Sequence, residues 1–149
     1  MGDRSGLGRL LFPPVIEGRG AVGLLVLRLV MGAAFLNHGW GKIQAPFSWM
    51  GADAPVPPIL QALAAIAEFF GGGMLLLVGL LTPLAALGLL GVMTFALQYH
   101  FGRGDPFVSV GGPSYELALV YWSAALLFVL AGPGRYSLDA NLFGNARRT

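Results

Sequence analysis

Ionisable side chains interrupt the long apolar runs of this sequence at a few positions, where they could hold a ligand or move protons. Several of these runs approach 20 residues, the length of helix that crosses a bilayer. Ionisable groups at such depths are costly, so each is a candidate for a functional role. The ionisable positions are Arg28, His38, Glu68, His100 and Glu116, and their neutral companions are Asn37 and Gln98.

Polar residues from three of the runs are predicted to meet at one level of the membrane. His38 and Lys42 stand at the end of the first run, and their i,i+4 spacing puts them on one helical face. His100 closes the third run and Glu116 opens the fourth. Imidazole and carboxylate groups can bind and protonate the carbonyl oxygens of a quinone. We therefore predict an outward-facing polar pocket for a quinone or a similar small molecule.

The residues of this predicted pocket divide by their chemistry into two sets. Proton-handling or catalytic roles are predicted for the imidazoles and carboxylates, and binding roles for the cations, amides and an aromatic ring that could pack beside a quinone. The first set is His38, His100, Glu116 and Glu68, and the second is Arg28, Asn37, Trp40, Lys42 and Gln98.

Three other interpretations of these residues remain open. They could form only the polar fringe of membrane-anchored helices, although such a fringe is mostly Trp, Tyr, Lys and Arg. His38 and His100 could ligate a haem iron, but short spans rich in leucine leave little room, so haem is disfavoured. Zinc held by His38, His100 and Glu116 lacks the support of a local ligand spacing such as HExxH. We predict no metal site.

Arg28 and Glu68 form a second, deeper group. Counted at 1.5 Å per residue from the ends of their predicted spans, both lie roughly 10–15 Å inside the membrane. Because the two depths are counted from opposite faces of a layer of about 30 Å, the levels nearly coincide. We therefore predict that Arg28 and Glu68 form an ion pair or lie close enough to share a water. The pair could only fix the register of two helices, or Glu68 could exchange protons beneath the pocket.

The composition indicates an integral membrane protein. Hydrophobic residues make up 56% of the 149-residue chain and charged residues only 11%, whereas soluble domains carry about 25% charged residues. The chain has no cysteine, which excludes a disulfide or a thiol redox couple. The net charge of +2 arises from few residues and does not indicate nucleic-acid binding. The predicted surroundings are the lipid bilayer and other membrane or redox subunits.

The pattern of apolar runs predicts an all-α membrane protein with a bundle of four transmembrane helices. Predicted segments are an N-terminal cytoplasmic or interfacial segment (1–20), a transmembrane domain (21–132) with spans at about 21–41, 59–81, 83–100 and 115–131, and a cytoplasmic tail (133–149). Six arginines flank one side of this arrangement, against Lys42 and Arg103 on the other. The positive-inside rule then places both termini in the cytoplasm. The six are Arg4, Arg9, Arg19, Arg135, Arg147 and Arg148.

Five segments in order resemble the DoxX family of small four-helix bacterial membrane proteins. They are LLVLRLVMGAAFLNHGWGKI (24–43), AEFFGGGMLLLVGLLTPLAALGL (67–89), MTFALQYHF (93–101), GGPSYELAL (111–119) and LAGPGRYSLDA (130–140). The resemblance implies functional importance for several of the polar residues already selected. These are Arg28, His38, Lys42, Glu68, His100 and Glu116, together with the motif from Gly132 to Asp139.

The resemblance also implies a function in the bacterial cytoplasmic (inner) membrane. The family name is tied to a membrane subunit of a thiosulfate:quinone oxidoreductase, and other members resemble parts of oxidoreductase or oxidative-stress complexes. We therefore expect the membrane subunit of a quinone-linked oxidoreductase or oxidative-stress complex. The alternative is a non-catalytic accessory subunit packed against a larger membrane complex.

Overall fold

The computed structural model describes residues 13–51 and 53–143, and within these ranges the secondary structure is helical, without strands. Residues 1–12 and 144–149 lie outside the described residues, and with them Arg4, Arg9, Arg147 and Arg148 of the predicted charge asymmetry. The helices are α1 (Gly18–Gln44), α2 (Pro58–Val78), α3 (Thr82–Gly102), α4 (Glu116–Ala131) and α5 (Leu138–Phe143).

Three of these helices, α1, α2 and α3, are long and apolar enough to cross a membrane. The fourth apolar helix, α4, has 16 residues and is therefore about 24 Å long, less than the roughly 30 Å of a hydrocarbon core. The fold is thus that of a helical membrane protein with three candidate spans and one shorter apolar helix among the described residues.

A tight turn at residues 79–81 makes α2 and α3 antiparallel neighbours. Gly79 ends α2 in the left-handed conformation at φ 70°, which glycine adopts without steric cost. Leu81 follows at φ 49°, and Pro83 lies in the first turn of α3, where a proline ring is compatible with the helix. Along the chain, α1 packs on α2, α2 on α3, and α3 on α4. The core between them is built from buried large side chains including Phe35, Leu76, Leu89 and Phe128.

Glycines allow α1 and α2 to approach each other at backbone distance. A Cβ atom on Gly39 would lie 2.7 Å from the backbone nitrogen of Phe69, and one on Gly73 would lie 2.8 Å from the Leu36 side chain. This contact fixes the register of the two helices, with residue 39 of α1 at the level of residue 69 of α2.

The middle of α2 departs from α-helical geometry. Residues Ala67–Leu75 form a π-helix, in which hydrogen bonds run from i to i+5. Glu68 lies in its first turn, and the triplet Gly71–Gly73 lies inside it. Segments of π-helix within α-helices occur frequently at functional sites.

The segment after α4 folds back against the opposite end of the bundle from the α1–α2 loop. The Asp139 carboxylate, 1% exposed, accepts hydrogen bonds from the backbone N–H groups of Leu81 and Thr82 at 2.8 and 2.9 Å. These bonds satisfy free donors at the start of α3, as an N-cap side chain would. Residues 132–139 are therefore tied to the α2–α3 turn.

Candidate functional site

Lys42 and Glu68 form the central ion pair of the candidate site. The Lys42 Nζ atom donates to both carboxylate oxygens of Glu68, at 2.6 and 2.7 Å. The Glu68 side chain is 3% exposed and that of Lys42 is 25% exposed. The pair therefore joins the end of α1 to the π-helical part of α2 in a largely buried position.

The predicted ion pair between Arg28 and Glu68 is wrong. Arg28 is buried but donates through Nη2 to the backbone oxygen of Tyr136 at 2.7 Å, near the other end of the bundle. Depths counted from predicted span ends do not determine the register between helices. The contact of Gly39 with Phe69 does, and it places Glu68 about 18 Å along the axis from the level of Arg28.

A cavity of about 610 Å³ lies beside this ion pair, between α2, α3 and the α1–α2 loop. Its walls are mostly apolar, with contributions from Leu63 on α2, Val92 and Phe95 on α3 and Met50 in the loop. The polar side chains that reach it include Lys42, Glu68, Gln61 and His100. Several polar groups thus meet one otherwise apolar cavity.

Gln61 holds the α1–α2 loop over the cavity through three hydrogen bonds. Its Oε1 accepts from the Met50 backbone at 3.1 Å, its Nε2 donates to the Val56 oxygen at 2.9 Å, and its backbone oxygen accepts from Trp49 Nε1 at 2.9 Å. The Trp49 ring in turn lies 4.5 Å from Lys42 Nζ, within the range of a cation–π contact. Gln61 was not among the predicted site residues; its signal in the sequence is a lone amide near the start of an apolar run.

His100 enters the cavity from the end of α3 and is oriented by Asp105. The His100 Nδ1 and Asp105 Oδ2 atoms are 2.8 Å apart, and the Asp105 backbone N–H also donates to the His100 oxygen at 3.1 Å. Arg103 Nε lies 3.5 Å from the same carboxylate oxygen. This leaves His100 Nε2 as the ring nitrogen not engaged by Asp105. Asp105 was not among the predicted site residues, because it lies in a loop beyond the apolar run.

The other predicted site residues do not line this cavity. His38 is exposed, and its ring lies beside Phe35 and Tyr121, with centroid distances of 6.1 and 6.0 Å. Glu116 is exposed at the first residue of α4. The predicted convergence of His38, His100 and Glu116 is therefore wrong. The reason is that α1 contacts two neighbours: its Lys42 reaches α2, whereas its His38 packs toward α4.

The neutral predicted residues also lie outside the cavity lining. Asn37 is exposed, and its Nδ2 donates to the Ala33 backbone oxygen of its own helix at 2.8 Å. Trp40 is 61% exposed and stacks near Phe69, with ring centroids 5.8 Å apart. Gln98 is exposed on α3. Of the nine predicted site residues, the structure brings together Lys42, Glu68 and His100.

The positions of the two histidines also concern the haem and zinc interpretations. The imidazole of His38 lies beside Tyr121, whereas that of His100 contacts Asp105, so the two rings have different surroundings. Within residues 13–51 and 53–143, no three His, Cys, Asp or Glu side chains are grouped so that they could hold a metal ion.

Comparisons with known proteins agree with the helical membrane fold. The DoxX family model matches residues 23–102. The chain is 34% identical to the inner membrane protein YqjF of Escherichia coli K12 over 127 residues, which cover 79% of this chain and 90% of the relative. An uncharacterized protein of Haemophilus influenzae is 34% identical over 125 residues, which cover 80% of this chain and 90% of the relative. No solved structure matches.

The family match, the coverage of these relatives and the three long apolar helices lead to one conclusion. They confirm the predicted resemblance and the predicted location in the bacterial cytoplasmic membrane. The chain belongs to the DoxX family and is a multi-pass protein of that membrane.

Proposed function

We propose that the cavity between α2, α3 and the α1–α2 loop binds a quinone, with Lys42 and His100 directed at its carbonyl oxygens. The observation that carries this proposal is the placement of Lys42, Glu68 and His100 on one otherwise apolar cavity of about 610 Å³. Small-molecule sites are typically cavities of about 300–1,000 Å³, mostly apolar with a few placed polar groups. A flat, conjugated six-membered ring with two carbonyl oxygens fits this combination.

Lys42 and His100 each keep capacity for a ligand beyond their protein partners. The Lys42 ammonium has three N–H donors and directs two of them to Glu68, which leaves one for a carbonyl oxygen. With the His100 proton on Nδ1 toward Asp105, Nε2 accepts from the hydroxyl group of the reduced quinol. Once it has taken that proton, the same Nε2–H donates to the carbonyl oxygen of the quinone. A bound quinone would supply two-electron, two-proton chemistry, and a redox partner subunit would exchange the electrons.

The proposal includes a fourth membrane span and an outward-facing cavity. In support, α4 packs alongside α3, and Arg19 and Arg135 both lie at the end of the bundle away from the cavity. The Arg135 backbone N–H donates to the Ile16 oxygen at 2.9 Å, which holds the segment after α4 close to the start of α1. Under the positive-inside rule this end is cytoplasmic.

A comparison of the two histidines tests quinone binding. Purified protein is titrated with a soluble short-chain quinone, and binding is followed by quenching of tryptophan fluorescence. We expect His100→Ala to weaken binding at least tenfold, because it removes the ring at the cavity. The matched variant His38→Ala removes an imidazole outside the cavity, and its affinity should stay within twofold of wild type.

Two results would contradict this proposal. Equal losses of quinone affinity in His100→Ala and His38→Ala would show that His100 is not at the binding site. If the wild-type protein binds no quinone, neither in the titration nor in lipid extracted from it, and co-purifies with another membrane complex, the accessory role is the better account.

A further inference from the structure

The cavity is covered on the side of the α1–α2 loop. Residues 45–51 and 53–57 lie over it and are held by the three hydrogen bonds of Gln61. Trp49 covers the Lys42 ammonium from the same loop. A ligand coming from water would therefore have to displace a hydrogen-bonded loop.

The side between α2 and α3 is open at the level of Gly91. A Cβ atom on Gly91 of α3 would have no heavy atom within 4 Å, and one on Gly88 would meet only the Ala67 Cβ of α2, at 3.5 Å. Both glycines line the cavity. At Gly88 the two helices are therefore close to van der Waals contact, whereas at Gly91 they leave a gap. We call the stretch defined by Ala64, Ala67, Gly88 and Gly91 the α2–α3 seam.

The apolar walls of the cavity continue onto the outer surface of the bundle. Leu63 on α2 and Phe95 on α3 line the cavity and are nonetheless 55% and 44% exposed. Both belong to long apolar helices, so in a bilayer their exposed faces contact acyl chains. The cavity is therefore continuous with the lipid rather than with bulk water.

We infer that the ligand enters from the bilayer through the α2–α3 seam and carries an apolar chain that remains in this seam. This rests on the proposed function and specifies the substrate class of the same site: a membrane-dissolved quinone with a polyprenyl tail. The head group lies toward Lys42 and His100, and the tail passes over Gly88 and Gly91 into the lipid.

A bulky residue in the seam tests this inference without altering the polar end of the cavity. Gly91→Phe places a ring in the open space at the seam. Gly23→Phe is the matched control, because Gly23 is also an exposed helical glycine with nothing within 4 Å and does not line the cavity. Both variants and wild type, in lipid nanodiscs, are titrated with a polyprenyl quinone and with the tail-less form of the same head group.

The expected result is that Gly91→Phe weakens binding of the polyprenyl quinone at least tenfold more than binding of the tail-less quinone, whose head group lies toward Lys42 and His100. Gly23→Phe should bind both as wild type does. If Gly91→Phe weakens both ligands equally, or neither, the lateral route is wrong while quinone binding stands. If wild type binds neither ligand, the proposed function fails and this inference fails with it. Ala64→Leu, which narrows the seam from α2, gives the same readout should Gly91→Phe not fold.

Discussion

At the scale of single residues, the Lys42–Glu68 pair determines how the site is organised. Glu68 is nearly inaccessible, and a buried carboxylate without a counter-charge is strongly unfavourable. Lys42 supplies that charge from a helix end, where its long side chain also contacts the Trp49 ring. The pair therefore couples α1, α2 and the loop in one set of contacts, and it leaves a positively charged donor at the cavity.

Replacing one partner of the Lys42–Glu68 pair should lower the free energy of unfolding far more than replacing both. We expect Lys42→Met to lower the free energy of unfolding in detergent by about 3 kcal/mol, because Glu68 is then left buried without its partner. The double variant Lys42→Met/Glu68→Gln should recover most of this loss. Unfolding titrations of the two single variants and the double variant give the coupling energy. Additive effects of the two substitutions would show that the pair contributes no specific coupling.

At the scale of elements, the contact between α1 and α2 sets the register on which the site depends. Gly39 lies against the backbone of Phe69, one residue after Glu68, so the helices are closest where the ion pair forms. The π-helical geometry of residues 67–75 begins at the same point. A change in the separation of these two helices would therefore move Lys42 away from Glu68.

Two glycines at the end of α1 provide a matched test of this contact. In Gly39→Ala, the new Cβ would lie 2.7–2.8 Å from the backbone of Phe69, which cannot move aside locally. We expect a loss of about 1–3 kcal/mol in unfolding free energy and weaker quinone binding. In Gly41→Ala, the new Cβ has no neighbouring heavy atom within 4 Å. This substitution should be neutral or stabilise the protein by up to about 1 kcal/mol. Similar stability of the two variants would contradict close packing at Gly39.

At the scale of the whole molecule, the two ends of the bundle have different roles. The end with the α1–α2 loop holds the cavity, Lys42, Glu68 and His100. At the other end Asp139 caps α3, and Arg28 bonds to Tyr136, so the segment after α4 is fastened to α1 and to the α2–α3 turn. Arg28 and Asp139 thus have structural roles at the end of the bundle away from the proposed ligand site.

The proposed four-span topology can be tested because the chain has no native cysteine. Single cysteines at Val110, before α4, and at Arg135, after it, lie at exposed positions. If α4 crosses the membrane and the cavity faces outward, a membrane-impermeant maleimide labels Val110→Cys in intact spheroplasts. Arg135→Cys should be labelled only after permeabilisation. Labelling of both in intact cells would contradict a fourth span.

The sequence by itself determined the class of the protein and the residues worth inspecting. Its low charge and long apolar runs require a membrane, its turns lie where glycine and proline interrupt those runs, and its five ordered segments identify the DoxX family. Lys42, Glu68 and His100 stood out because ionisable groups are rare in apolar helices.

Only the tertiary structure decided which of these residues meet. Helices that are apolar on nearly every side carry little sequence information about which face contacts which neighbour. Their register comes instead from close backbone contacts such as Gly39 on Phe69, and the cavity wall from loop bonds such as those of Gln61. Glu68 therefore pairs with Lys42 rather than Arg28, and His38 and His100 face different surroundings, because packing between helices rather than depth along them sets the partners.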